Sequence, residues 1–160
     1  MRVAAILLVI VCLVVAGFTG YLYLTAQVTV TDIECIAADA ADQEETFDLL
    51  KAQTEAGIFT GTPFDTGEIG SVQDYQFFTY TVQLRNGTFL PAEMAEIQIT
   101  PMNGDVLQLD ENHARNISAR SIGTVQATIL TKKDMHNVRE INISYYLWGL
   151  PFTLRTTYSK

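Results

Sequence analysis

From Val3 to Leu24 the chain carries no charged residue. As a helix rising 1.5 Å per residue this stretch runs about 33 Å, the thickness of a bilayer's hydrocarbon core. Gly17 and Gly20, with the small Ala16 and Thr19, are tolerable in a membrane helix, and Tyr21 and Tyr23 fall where amphipathic aromatics favour the lipid–water boundary. Arg2 and the N-terminal amine flank one end, while Asp32 and Glu34 lie beyond the other, so the positive-inside bias puts the short N-terminus in the cytoplasm and everything after Leu24 outside. A cleaved signal peptide has a shorter apolar region, of about 7 to 15 residues, and small residues before the cut. Leu24-Thr25-Ala26 is a poor cleavage site because Leu24 stands where a small side chain is preferred, and Cys12, preceded by Val9, Ile10 and Val11, is not a lipoprotein cysteine. Ala16 to Gly20 also has the small-xxx-small spacing of a helix-pairing face. The expected organisation is residues 1–25 as cytoplasmic stub and retained signal anchor, and residues 26–160 as one extracytoplasmic domain.

That domain has material for a core, since 48% of the 160 residues are apolar. Its charge is lopsided. All 18 acidic residues lie at or after Asp32, against every basic residue except Arg2. A surface so acidic repels phosphate backbones and anionic headgroups, which disfavours nucleic acid and broad adsorption to a lipid surface and fits a cationic partner, or simple solubility, better. Two cysteines, one of them inside the apolar run, make no disulfide framework, so the fold must rest on packing, with Cys35 read as a small buried hydrophobe.

Along the outer part, the Val, Ile and Thr of Val28 to Ala37 predict a strand that leaves the membrane with almost no linker. Asp42-Gln43-Glu44-Glu45 reads as a capping box opening a short helix, with Phe47 and Leu50 on one face and Gly57 as its stop. Gly57 to Gly70, rich in glycine, reads as a loop. Period two then takes over: Phe78, Tyr80, Val82 and Leu84; Ala95, Ile97 and Ile99; Val106 to Leu109; Val125, Ala127 and Ile129; Ile141, Ile143, Tyr145 and Leu147; Phe152 and Leu154. Asn86-Gly87 predicts a loop longer than a tight hairpin, Asn103-Gly104 a two-residue hairpin, and Gly149 with Pro151 the last turn. About seven strands and one short helix describe a mainly-β, antiparallel, two-sheet sandwich of immunoglobulin-like type. Trp148, unflanked by cysteines, excludes a true antibody-type domain. Ile141 to Tyr158, with the core Tyr145-Tyr146-Leu147-Trp148-Gly149-Leu150-Pro151-Phe152, resembles uncharacterised membrane-anchored proteins of Gram-positive bacteria; the resemblance implies an exported domain and no activity.

Asp65-Thr66-Gly67 resembles the catalytic tripeptide of aspartic proteases, β-rich enzymes in which two carboxylates share a proton and which include homodimers. Leu147-Trp148-Gly149 resembles the apolar-apolar-Gly element that supports that loop, whereas Glu68 departs from the small residue expected there and Thr60-Gly61-Thr62-Pro63 makes a poor preceding strand. Asp105, Asp110, Glu111 and His113 follow no metal-ligand spacing and read as a solvated loop. His113, His136 and Cys35 have no nucleophile or base beside them in sequence. Asn86, Asn116 and Asn142 head chance sequons. Tyr75, Phe77, Tyr145, Tyr146, Trp148 and Phe152 exceed what one sandwich interior buries, so an outer face carries aromatics, for a partner or as cross-strand pairs. The expectation is a non-enzymatic, membrane-tethered envelope domain making protein contacts, with no cofactor, metal or catalytic residues. The alternatives are an aspartic-protease-like homodimer using Asp65, or an accessory subunit whose anchor pairs with another membrane protein.

Overall fold

The structure is a computed structural model that describes residues 2–25, 27–65, 67–109 and 114–159. Helix α1 (Arg2–Thr25) is followed by β1 (Val28–Asp39), α2 (Glu44–Glu55), β2 (Thr62–Pro63), β3 (Tyr75–Asn86), β4 (Ala92–Ile99), β5 (Asp105–Leu109), β6 (Arg115–Ile117), β7 (Ile122–Lys132), β8 (Arg139–Leu147) and β9 (Leu150–Tyr158). The strands form two antiparallel sheets, ordered β1-β3-β7-β5-β2 and β6-β4-β8-β9. This is the mainly-β antiparallel sandwich with one short helix in its folded part, preceded by an apolar helix. Among the described residues the strands number nine, because β2 and β6 are edge pieces of two and three residues.

Alternation builds the interior. Phe78, Tyr80, Val82 and Leu84 of β3 and Val125, Ala127 and Ile129 of β7 meet Ala95, Ile97 and Ile99 of β4 and Ile141, Ile143, Tyr145 and Leu147 of β8. The surplus aromatics resolve into a second core on the other side of the larger sheet. There Phe47 and Leu50 of α2 cover Tyr75, Phe77, Leu107 and Leu130, so Phe77 is as buried as Phe78. Tyr145 and Phe152 stack across β8 and β9 with ring centroids 5.7 Å apart.

Three local expectations are corrected. The helix is not opened by a box at Asp42; Asp39 caps a 3₁₀ turn (Ala40–Gln43) by accepting from Ala41 N, and this turn feeds α2. Lys133, 2.6 Å away, and that cap hold the Asp39 carboxyl below its ordinary range. Gly57 (φ +68°) does end α2, with Ile58 N bonded to Gln53 O in the glycine-type helix stop. Asn103-Gly104 does not join a hairpin, because β4 and β5 lie in different sheets and the loop crosses between them. The final turn is Trp148-Gly149, both at positive φ as in a two-residue hairpin, and Pro151 lies in edge strand β9, where a missing N–H is tolerated.

Candidate functional site

Strand register defines two ends of the sandwich. At the end where α1 joins β1, Ala92 pairs with Leu147 and Ile117, and Val28 with Asn86. At the far end Asp105 pairs with Thr131, and Arg139 with Tyr158.

The near end is organised by Asn86, which is fully buried. Its Nδ2 donates to Leu90 O (2.7 Å), Ser118 O (3.1 Å) and Ile117 O (3.3 Å), and its Oδ1 accepts from Thr88 N (3.0 Å) and Thr88 Oγ1 (2.8 Å). This sequon head is therefore a structural asparagine with no room for a glycan. The loop it fixes leaves Phe89 at its tip, 50% exposed, beside Trp148, 63% exposed on its turn. Phe18 of α1 lies against both, at ring-centroid distances of 6.5 Å and 6.1 Å.

At the far end, Arg139 and Asp105 form a bidentate ion pair with almost no solvent exposure: Nε donates to Oδ2 at 2.9 Å and Nη2 to Oδ1 at 2.6 Å. Arg139 Nη1 donates to Val138 O and to His136 O, and Asp105 Oδ2 also accepts from Met102 N. With its bonding filled internally, the pair ties the Met102–Asp105 crossing to the start of β8. Nearby, Tyr80 donates its hydroxyl to Asn137 O at 2.7 Å and stands beside the half-buried Cys35 thiol. Burial pushes both groups above their ordinary pKa, outweighing for Cys35 the lowering influence of Tyr80 and Arg139 nearby. A thiol so held stays protonated and is a poor nucleophile.

Along one flank runs an open cleft of about 350 Å³, bounded by Thr60–Thr62, by Glu96, Ile97 and Gln98 of β4, by Gln108 of β5 and by Ser144 of β8. Its floor follows from one side chain. Gln108 Nε2 donates to Ile97 O (3.0 Å) and its Oε1 accepts from Ile99 N (2.9 Å), so a side-chain amide stands where a neighbouring strand would pair with β4 and stitches the sheets together. Above that seam the cleft offers hydroxyls, an amide and the Glu96 carboxylate, a lining suited to hydrogen-bonding a polypeptide and to meeting a cation.

Asp65 lies on an exposed loop at the edge of the larger sheet, where its Oδ1 accepts from Gly67 N at 3.0 Å; Thr66 lies outside the described residues. Leu147-Trp148-Gly149 is at the opposite end of the sandwich and does not support that loop. Asp105 is taken up by Arg139, and Asp110, Glu111 and His113 lie outside the described residues. Among the described residues, no three or more His, Cys, Asp or Glu side chains are grouped to hold a metal ion. No family model matches the chain, and no curated protein matches it. Among solved structures it is similar to the cupredoxin domain of amoB from Nitrosocaldus yellowstonii, with a TM-score of 0.36 and 13% identity over 81% of this chain and 84% of that one. The likeness is loose. Sequence reasoning reached neither the cleft nor Gln108, whose partners Ile97 and Ile99 belong to a strand of the other sheet, whereas Arg139 occupies the core-facing place two residues before Ile141.

Proposed function

We propose that this chain is a single-pass protein of a Gram-positive cell envelope, with α1 as a retained anchor, the sandwich on the outer face of the membrane, and protein contact as its work. The observation that supports the tether is the bareness of α1. Its apolar span, Val3–Tyr21, is long enough to cross a bilayer and has no residue buried inside the rest of the chain. In such a protein the cleft beside β4 is the place to receive a partner, and the Glu96 carboxylate, within a domain holding all 18 acidic residues, favours an extended cationic segment.

The test is photo-crosslinking of the full chain in its native membranes, with the reactive side chain placed at Gln98 or Ser144 and, as a control, at Gln53 on α2. A discrete protein adduct from the two cleft positions, absent from Gln53 and lost on Glu96→Lys, is expected. No adduct from the cleft, or the same adducts from all three positions, would overturn the reading.

A further inference from the structure

The near end of the sandwich exposes more apolar surface than a water-facing rim needs. Phe89, Met94, Ile122, Tyr146 and Trp148 are all exposed there, on the β3–β4 loop, the β4 bulge, the start of β7, the end of β8 and the β8–β9 turn. These segments are held firmly: Asn86 pins the first, Asn116 Oδ1 accepts from Met94 N at the second, and positive φ at Met94, Trp148 and Gly149 shapes the bulge and the turn. Rigid backbone therefore presents apolar side chains outward, a costly arrangement in water.

Their neighbour identifies what covers them. Phe18, which touches both Phe89 and Trp148, is inside the apolar span of α1, seven residues before its end at Thr25. At 1.5 Å per residue that is about 10 Å back along the helix from where the chain leaves it. If Phe18 is in lipid, the tips of both loops are level with it. Two exposed arginines, Arg85 and Arg120, lie on the same end, where phosphate headgroups would meet them.

We infer that the bilayer surface is the ligand of this end: Phe89 and Trp148 enter the outer leaflet beside α1 and seat the sandwich on the membrane as a second, shallow attachment. Interfacial aromatics typically reach about 5–10 Å into the headgroup and acyl boundary, the depth that Phe18 sets here. The inference rests on the membrane-anchored reading above and adds a second contact to it.

Trp148 is the sole tryptophan, so it reports directly. The full chain is reconstituted in phosphatidylcholine vesicles whose lipids carry bromine at a shallow or a deep acyl position; flotation reports anchoring and tryptophan emission reports seating. A floating protein whose Trp148 is quenched by shallow bromine more than by deep bromine, and poorly by aqueous acrylamide, is the expected result. Phe18→Ala should keep the lipid quenching, which simple packing of Trp148 on the helix would not. Phe89→Ser should shift Trp148 toward acrylamide. A floating protein with Trp148 open to acrylamide overturns the seating and spares the anchor; quenching by neither agent means that protein, such as a second copy, covers Trp148 and overturns it equally. A chain that does not float overturns both readings.

Discussion

Arg139 and Asp105 show how much a single buried pair decides in this fold. Neither charge reaches water, and each serves the other while holding backbone of the crossing loop and of the β8 entry. Removing one partner strands the other without solvent or counter-charge, so Asp105→Asn or Arg139→Met should each cost about 3–5 kcal/mol in a urea melt. Arg155→Ala, at an exposed pair 3.5 Å from Glu140, should stay within about 0.5 kcal/mol. Alkali should probe other buried groups. Burial favours the neutral forms of Cys35, Tyr80 and Tyr145 in the folded chain, raising them above the ordinary values of 9.0 for a thiol and 10.0 for a phenol. The unfolded chain then ionises first as pH climbs, so the stability these groups contribute is complete below about pH 8 and falls progressively above pH 9 to 10. Urea midpoints from pH 7 to 11 should show this decline, and Tyr80→Phe should make it shallower; an unchanged slope would mean that Tyr80 is not the buried group assigned here.

Among the elements, β8 carries the register of the smaller sheet. Ile143 is fully buried between the sheets and Ser144 faces out. Ile143→Ala should cost about 2–5 kcal/mol as a cavity in the core, and Ser144→Ala no more than about 0.5 kcal/mol; the reverse order in a urea melt would place the strand one residue out of step. The alternation of β4 and β8 was legible because each has one face in the core and one toward water, and that of β3 and β7 because most of the opposite face is polar before the second core covers its end. Tyr75 and Phe77 were legible as a surplus, but the α2 face that covers them comes from a segment about 30 residues earlier, which no local period reveals. Asn103-Gly104 signals a reversal, yet a turn does not state whether its strands pair; β5 is claimed by β7 through backbone and by β4 only through Gln108. For the same reason the cleft, gathered from segments near positions 60, 97, 108 and 144, has no sequence signature.

At the scale of the molecule, α1 and the sandwich are separate folding problems, because the apolar span contributes nothing to the cores formed by the strands and α2. A chain shortened to begin at Ala26 should therefore be soluble, monomeric and β-rich; circular dichroism dominated by helix, or persistent insolubility, would contradict the architecture. The junction between the two units has a mechanical meaning. Gln27, two residues past the end of α1, already accepts through its carbonyl from Gly87 N at 3.1 Å, so the sandwich begins almost where the helix ends. Were α1 the anchor proposed above, a domain mounted this way would not roam on a leash but ride close to the helix, like a vane on a spindle. Strand β1, 12 residues long, gives the mast a height of about 40 Å at 3.3 Å per residue. For the anchored protein and partner proposed above, the flank bearing Glu96 would be met within this short distance of the lipid, so that lateral diffusion and rotation in the membrane plane would set the pace of encounter.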